Sequence, residues 1–417
     1  MSVRRSWQTV LTMVMAGVAA LPAQESVEQR LQRLERQNKE LQAQVEALGK
    51  DVERRDLQGA PAQYRQRGSG DGSATGLEFG GYGEFLFAQP AGGTGVFDVA
   101  RWVLYVGYRF DPHWSFDSEL EVEHTITEAT SATTDEGGEV AVEFAHLDYE
   151  SSRALAVRAG LVLVPMGLYN EKHEPTEFMP ATRPETERRI LPTTWREGGL
   201  GIHGEAGEFA YATYAMTGFA AARFDATGFG EVSQEGNRVA GDALALVGRL
   251  DWRGIDDLRV GVSGYHGRTG QERDAAGLSI PELDTSIVEV HGEWRPERFV
   301  VRGVFASAWV ADATAFDAAT GAGVARRLEG YYGELGYDVL PSLCQDTKGH
   351  LLPFVRYEHI DTQKQMPSGV PRDPLQADEI FTFGLQYRPI PQLAIKVDYA
   401  DWTHQPDQFH VALGYVF

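Results

Sequence analysis

Acidic side chains recur at every second position in one short segment of the chain. Asp117, Glu119 and Glu121 alternate there with Ser118 and Leu120. Side chains two apart lie on the same face of a β-strand, so these carboxylates are expected to share a face. Carboxylates grouped in this way can bind cations or pair with basic groups. Acid–base or nucleophilic catalysis would further need a histidine or serine held within reach of them.

Basic residues are expected on the neighbouring strands. Arg101 and Arg109 lie on the preceding predicted strand, and Arg158 lies on a later one. Patches of charge set ion selectivity in pores. The alternative is a set of structural salt bridges along a wet inner wall, and the sequence leaves both interpretations open.

The longest predicted connection spans 165–197 and is the third long one. It contains five prolines, several aromatic residues and balanced charge, which favours an ordered loop. Six basic residues in or beside it are candidates for a pore constriction: Lys172, His173, Arg183, Arg188, Arg189 and Arg196. The alternative is a surface loop that packs on a neighbouring subunit.

Period-two alternation continues from Leu77 to Phe417. It predicts sixteen strands, with fourteen or eighteen as alternatives, at 77–88, 98–110, 114–124, 139–149, 154–164, 198–204, 209–217, 242–253, 258–267, 285–295, 299–310, 329–339, 351–360, 377–388, 393–401 and 407–417. Tight turns alternate with longer polar stretches, including 219–241 and 311–328. That rhythm is typical of a transmembrane β-barrel with periplasmic turns and external loops.

The two faces of the predicted strands differ in a way that favours a membrane barrel over a soluble sandwich. One face carries large aromatic residues near the strand ends, such as Trp102, Trp114 and Trp294, as in the aromatic girdles at membrane interfaces. The other face is rich in Arg, Asp and Glu. Sixteen strands enclose a water-filled lumen, so this second face is expected to line a pore.

The N-terminal residues differ from the rest of the chain. Residues 1–23 have the basic, apolar and small-residue order of a signal peptide. Residues 24–57 are predicted to form a coiled coil, because apolar residues from Val27 to Val52 recur at heptad spacing, with Asn38 at a core position. Self-association of this coil is favoured over packing of a single helix on another element. Residues 58–76 form a predicted linker, and 77–417 form the predicted barrel.

Composition narrows the function classes. The formal net charge of −22 disfavours nucleic acid as a partner. The single cysteine, Cys344, cannot form an internal disulfide. GxSxG, HExxH, CxxC-cluster, phosphate-loop and calcium-loop motifs are missing from the sequence, so we expect neither an enzyme nor a cofactor. A barrel enzyme and a barrel-anchored tether are the competing hypotheses to a passive channel.

The signal peptide, coiled coil, sixteen-strand pattern and terminal Phe417 together resemble the phosphate-selective porin O and P family. The stretch from Arg158 to Leu168 resembles the strand that leads into that family's third loop. In sixteen-stranded porins, which the chain resembles, the third loop folds into the barrel and narrows it, so the connection 165–197 is expected to do the same. The resemblance implies a homotrimeric outer-membrane channel for ions and small polar solutes, with some members favouring anions such as phosphate. It also implies a periplasmic coil and a last strand read by the barrel-assembly machinery. The acidic balance leaves the sign of selectivity open.

Overall fold

The computed structural model describes position 39 and then residues 76–124, 138–239, 241, 243–269, 281, 283–344 and 347–417. The predicted signal peptide, the predicted coiled coil except Lys39 and the predicted linker except Gly76 lie outside the described residues; Gly76 is the first residue of β1. The strands and most of their connections lie within them, and these carry the following description.

The chain forms sixteen antiparallel strands, as predicted, and the alternatives of fourteen and eighteen are excluded. Each strand pairs with its neighbours in sequence. Their bounds are β1 Gly76–Pro90, β2 Val96–Arg109, β3 Trp114–Glu123, β4 Val140–Ser152, β5 Leu155–Leu163, β6 Arg196–Ala206, β7 Phe209–Thr217, β8 Leu244–Ile255, β9 Leu258–Arg268, β10 Asp284–Trp294, β11 Phe299–Val310, β12 Arg327–Tyr337, β13 His350–Gln365, β14 Ala377–Ile390, β15 Leu393–Trp402 and β16 Gln408–Val416.

Pairing of the first and last strands closes the barrel. β1 and β16 are in register from Tyr82 opposite Val416 to Pro90 opposite Gln408. Phe417 extends the ladder, since its N–H donates to the Gly81 carbonyl at 2.9 Å and its carbonyl accepts from the Gly81 N–H at 3.0 Å. A side chain at Gly81 would meet the Val103 carbonyl at 2.3 Å and also the Phe417 ring, so this position requires glycine. Closure leaves no free sheet edge.

The outer face of the barrel is apolar. Trp102, Trp114, Trp294 and Trp309 are among many large apolar side chains that are exposed there. Exposed apolar residues on alternate positions of every strand suit contact with lipid rather than with water. The charged residues lie mainly on the inner face, as predicted, and most of those on the strands are buried there.

The helices of the described residues are short. They are α1 Thr186–Arg189, α2 Ala313–Thr320 and α3 Leu340–Leu343. Among the described residues, these helices included, none forms a helix long and apolar enough to cross a membrane.

Two connections expected to be polar are apolar in part. The connection from β7 to β8 (218–243, loop 4) buries Phe219, Phe224 and Phe229, and the connection from β11 to β12 (311–326, loop 6) buries Phe316 of α2. The expectation for these loops was therefore wrong. Their aromatic residues are spaced by Gly and Ala without a strand or helix period, so the sequence pattern does not reveal their burial.

Candidate functional site

The connection from β5 to β6 (164–195, loop 3) folds inward and is almost entirely buried. Its base is closed by Asn170. The Asn170 amide donates to the carbonyls of Val164 (2.7 Å) and Trp195 (2.9 Å), and its Oδ1 accepts from the Trp195 N–H at 2.6 Å. One side chain thus ties the two ends of the loop together. The prediction that loop 3 enters the barrel is supported by this burial.

The fold of loop 3 is centred on Glu187 of α1. Its carboxylate accepts from the N–H groups of Leu168 (3.0 Å) and Tyr169 (2.7 Å), and from the hydroxyl of Tyr332 on β12. Burial raises the pKa of Glu187 to about 7, although these hydrogen bonds act in the opposite direction. Gly167 has a positive φ of 73°, and a side chain there would meet this carboxylate, so the chain can turn here only with glycine.

Donors on the barrel wall hold the carbonyl groups of loop 3. The loop carbonyls are buried away from water and require hydrogen-bond partners. These are supplied at 2.7–3.0 Å by Arg101 to His173, Arg249 to Gly167, Gln386 to Phe178, Arg356 to Thr182 and Lys396 to Pro180. The donors belong to five strands distributed around the barrel, so the loop is fixed across the lumen rather than against one side.

Carboxylates on the wall complete this binding. Asp398 accepts from the Ala181 N–H at 2.6 Å, and Glu358 accepts from the Glu185 N–H at 2.7 Å. Glu334 accepts from the hydroxyl of Tyr169 at 2.9 Å. Much of the inner-wall charge that the sequence assigned to a pore therefore holds the loop in place.

An apolar cluster joins loops 3, 4 and 6 inside the barrel. The ring of Trp195 stacks on Phe219 with centroids 4.6 Å apart and lies 5.1 Å from Tyr265 of β9. Phe224 of loop 4 in turn lies 6.3 Å from Phe316 of loop 6. Three loops share one buried core, so any path for solutes must pass beside this core along the polar wall.

The basic candidates of loop 3 have separate roles. Arg183 is buried, and its guanidinium donates to the His173 carbonyl and to Thr194 at 3.1 Å each. Burial and Arg101 lower the pKa of Arg183 to about 10. Arg189 donates to the Thr227 carbonyl at 2.9 Å and to Gln376 at 2.7 Å. Both residues therefore stabilise the loops.

Two further basic candidates lie away from the loop interior. Arg196 is buried at the start of β6 and pairs with Glu235 of loop 4 at 3.2 Å. Arg188 is the most exposed of the candidates in loop 3, with 52% of its side chain accessible, and it pairs with Glu185. Arg109 stands apart from all of these, at the last position of β2 opposite Ser115.

A strip of the inner wall beside loop 3 stays accessible. His203 and Arg158 keep 28% and 23% of their side chains exposed, and Asp117 keeps 19%. The inward positions between these side chains are glycines. Gly160 lies opposite Gly199, and Gly201 lies opposite Arg158. Arg158 donates to both oxygens of Asp148, at 2.8 and 2.7 Å. This strip on β3–β6 is the candidate path.

Lys172 and Glu171 of loop 3 are only partly buried. Glu171 lies 3.5 Å from Arg249, and 37% of its side chain is accessible. Burial and the nearby Arg259 lower the pKa of Lys172 to about 8. Both signs of charge therefore occur where the inner surface of the loop remains accessible.

The acids predicted on β3 meet loop 3 at His173. Glu119 and Glu121 are buried, and Glu143 of β4 joins them. Burial alone would lower the pKa of His173, but the adjacent carboxylates of Glu143 and Glu119 raise it to about 10. Strand alternation located the carboxylates, whereas the contact with His173 depends on the inward fold of loop 3.

The closed sixteen-strand antiparallel barrel matches the fold of solved outer-membrane porins. The in-vitro folded trimer form of OmpT, an outer membrane protein of Vibrio cholerae, is 11% identical, covers 83% of this chain and 100% of its own, and gives a TM-score of 0.52. OmpF of Salmonella typhi is 14% identical over 82% of this chain and 98% of its own, with a TM-score of 0.53. The anion-selective porin from Comamonas acidovorans is 12% identical over 82% and 100%, with a TM-score of 0.50.

Sequence similarity places the chain in a family. It is 34% identical over 360 residues to an uncharacterised protein of Aquifex aeolicus (strain VF5), with 82% of this chain and 80% of that protein covered. The chain belongs to the family of that protein. No protein-family profile matches the sequence.

Proposed function

We propose that this protein is an outer-membrane porin through which ions and small polar solutes diffuse passively. The observation that carries the proposal is the placement of loop 3. A loop that crosses the lumen and is held by polar groups of several strands can narrow a pore to a defined width. The apolar outer face and the shared fold of OmpF support the outer-membrane location.

The path in this proposal follows the polar strip on β3–β6 that remains beside loop 3. Arg158, Asp117 and His203 line it with both signs of charge. The anion-selective porin among the structural neighbours makes anions, phosphate included, candidate solutes. Selectivity would be set by Arg158 and the nearby Glu171 rather than by the net charge of the chain, because only groups near the path act on a passing ion.

We also propose that the channel is a homotrimer, with its coiled coil in the periplasm and its last strand recognised by the barrel-assembly machinery. The trimer form of OmpT, which has the same fold, supports this assembly. Heptad spacing in residues 24–57 would supply an additional contact between subunits.

Enzymatic chemistry is not part of the proposal. The hydroxyl of Ser263 donates to Glu289, and His291 is bonded to Glu289 at 2.9 Å and to Asp251 at 3.0 Å. The imidazole is therefore held between carboxylates instead of next to a nucleophile, unlike a hydrolase triad. A barrel-anchored tether is the remaining alternative, and it would not conduct.

Conductance of the purified full-length protein in planar bilayers tests the proposal, and two adjacent residues locate the path. His203→Trp adds bulk to the inner wall on the proposed path, whereas Ile202→Trp adds it to the lipid face of the same strand. We expect wild type to conduct, His203→Trp to conduct less and Ile202→Trp to match wild type. Folded wild-type protein that does not conduct would support the tether. Equal conductance in both variants would show that the path does not run past His203.

A further inference from the structure

Three acidic side chains and one histidine converge where loop 3 meets β3 and β4. Glu119 and Glu121 point inward from β3, and Glu143 comes from β4. The pairing of these strands shifts between Glu119 and Leu120, where Glu143 is the additional residue of a β-bulge. A bulge re-aims a side chain at a cost in ladder hydrogen bonds. It brings Glu143 to the inner face next to Glu119.

The distances in this cluster suit a shared metal ion. His173 Nε2 lies 3.3 Å from a Glu143 oxygen and 3.4 Å from a Glu119 oxygen. Ligands about 2.0 Å from a tetrahedral zinc ion are about 3.3 Å from one another. A direct charge-assisted hydrogen bond would be shorter, at about 2.7–2.9 Å. Both separations are long for a charge-assisted hydrogen bond and equal those between ligands of one ion, and the three ligand atoms lie within 4.8 Å of one another.

The carboxylates of this cluster keep unsatisfied oxygens, although Glu143 Oε2, the atom next to His173, already accepts from the Tyr82 hydroxyl at 3.0 Å. Glu119 Oε2, Glu121 Oε1 and Glu143 Oε1 are all buried without a hydrogen-bond partner. The side chain of Glu143 is fully inaccessible, and that of Glu119 is 2% accessible. Buried carboxylate oxygens are expensive to leave unpaired, and a cation would satisfy them.

The imidazole is oriented as metal ligands usually are. His173 Nδ1 lies 3.1 Å from the Asn170 carbonyl, to which it can donate, and this leaves Nε2 facing the carboxylates. Histidines that bind metals commonly donate their other N–H to a backbone carbonyl, which fixes the tautomer and the ring. Asn170 is itself held by the base of the loop, so the ring has a rigid support.

The local charge also leaves room for a dication. Four buried carboxylates, namely Glu84, Glu119, Glu121 and Glu143, lie in this region with the guanidinium groups of Arg101 and Arg183 and the imidazole of His173. Acidic groups outnumber the guanidinium groups, so a bound cation would add to a region rich in carboxylates.

We propose that Glu119, Glu143 and His173 bind a divalent transition-metal ion, zinc or a close relative, which fastens loop 3 to β3 and β4. Glu121 supplies a further buried oxygen beside Glu143. A nitrogen together with carboxylate oxygens favours such ions over magnesium and calcium, which prefer oxygen alone. The site does not depend on conduction, so its failure would leave the channel proposal intact.

A second acidic cluster serves as an internal comparison. Asp117, His146 and Asp148 also lie close together on β3 and β4. There Asp148 is already bound through both oxygens by Arg158, and His146 lies 3.9 Å or more from either carboxylate. A cation already occupies this position, so we expect no metal there.

Zinc binding to the full-length protein in detergent tests the proposal. Metal content after equilibrium dialysis should be one zinc ion per chain, and titration calorimetry should give the affinity. Glu119→Gln, Glu143→Gln and His173→Gln should each weaken zinc binding by at least the roughly 10–100-fold that loss of a residue hydrogen-bonded to a metal ligand costs.

His410→Gln is the matched control, since His410 is also buried and bonded to a carboxylate, Asp398, at 2.8 Å. Asp117→Asn tests the second cluster, and both controls should bind zinc as wild type does.

Two readouts keep the result independent of folding. Circular dichroism and heat-modifiable gel mobility show whether each variant is folded.

In wild type, chelation should lower the melting temperature and added zinc should restore it. Cobalt substituted for zinc should show the intense visible absorption of a tetrahedral site, and this should be lost in His173→Gln. Absence of zinc from wild type, or equal zinc in the three ligand variants and the His410 control, would overturn the proposal.

Discussion

Single residues hold loop 3 mainly through its backbone. Arg356 and Lys396 each donate to a loop carbonyl at 2.9 Å, and Asp398 accepts from a loop N–H at 2.6 Å. Contacts to backbone groups place few demands on the loop side chains, but they require the wall residues to be exact in position and charge. Substitutions on the wall are therefore expected to affect the loop more than substitutions at its exposed positions, such as Arg188.

Glu187 should make the attachment of loop 3 depend on pH. The ordinary pKa of a glutamate side chain is near 4.5, and burial raises the pKa of Glu187 to about 7. The protonated form therefore favours the docked loop, and the stabilisation is complete below about pH 4.5. It is lost as pH rises through about 7, by about 3 kcal/mol in total.

Hydrogen exchange of the segment 165–195, compared between wild type and Glu187→Gln at each pH, measures this effect. The neutral amide can still accept from the loop N–H groups, so the variant should match wild type near pH 5 and be better protected near pH 8. A difference in protection that is the same at both pH values would show that Glu187 does not titrate in this range.

At the scale of elements, loops 3, 4 and 6 act as one packed unit. Their shared aromatic core means that no one of them takes up its position independently of the others. The strands provide a fixed frame, and the loops inside it resemble a small globular core. In the proposed channel, the width of the pore would therefore depend on packing as well as on charge.

Trp195→Ala should loosen this unit. The side chain is buried and stacked on Phe219 and Tyr265, and removal of a buried aromatic side chain costs about 3–5 kcal/mol. We expect faster protease cleavage within loops 3 and 4 and larger or noisier conductance steps. Trp294→Ala, which removes an outward-facing ring from β10, is the control and should leave both unchanged. Unaltered cleavage in Trp195→Ala would show that the wall contacts alone fix the loop.

The sequence predicted the strands well because lipid on one side and polar groups on the other impose a strict alternation. The predicted segment 299–310 matches β11 Phe299–Val310. The segment 351–360 is shorter than β13 His350–Gln365, since the strand continues as polar residues that pair beyond the apolar row. Alternation cannot detect such an extension.

The site was predictable only in part. Alternation placed Glu119, Glu121 and Arg101 on the inner face, and the resemblance to sixteen-stranded porins, not the residues of loop 3 alone, indicated that the loop enters the barrel. Strict alternation along β4 with Glu143 facing inward would make His146 and Asp148 face outward. All three side chains are instead buried on the inner face, because the bulge shifts the alternation by one residue. The bulge is a property of strand pairing, and the contact of His173 with β3 and β4 is a tertiary one.

The whole molecule is closed by its last residues. Phe417 makes two main-chain hydrogen bonds to Gly81, and each such bond contributes about 1 kcal/mol. Deletion of Phe417 removes both bonds and the terminal ring, whereas Phe417→Ala removes the ring alone. We expect deletion to slow refolding into lipid vesicles and Phe417→Ala to refold nearly as wild type does.

In cells the ring itself is expected to matter, because a terminal aromatic resembles the signal read by the barrel-assembly machinery. Phe417→Ala should therefore reduce the amount of folded protein in the outer membrane, and Phe417→Tyr should restore it. Equal amounts of wild type and Phe417→Ala in cells, measured by heat-modifiable mobility, would show that the ring is not part of the signal.

The distribution of loop 3 contacts has a consequence for biogenesis. The groups that hold the loop come from β2 near the start of the chain and from β12–β15 near its end. These strands become neighbours across the lumen only when β1 pairs with β16, so the binding surface for the loop is incomplete until the barrel closes. A partly assembled molecule would thus form a wide pore that loop 3 does not narrow. Loop docking as the last event would couple completion of the wall to restoration of the permeability barrier.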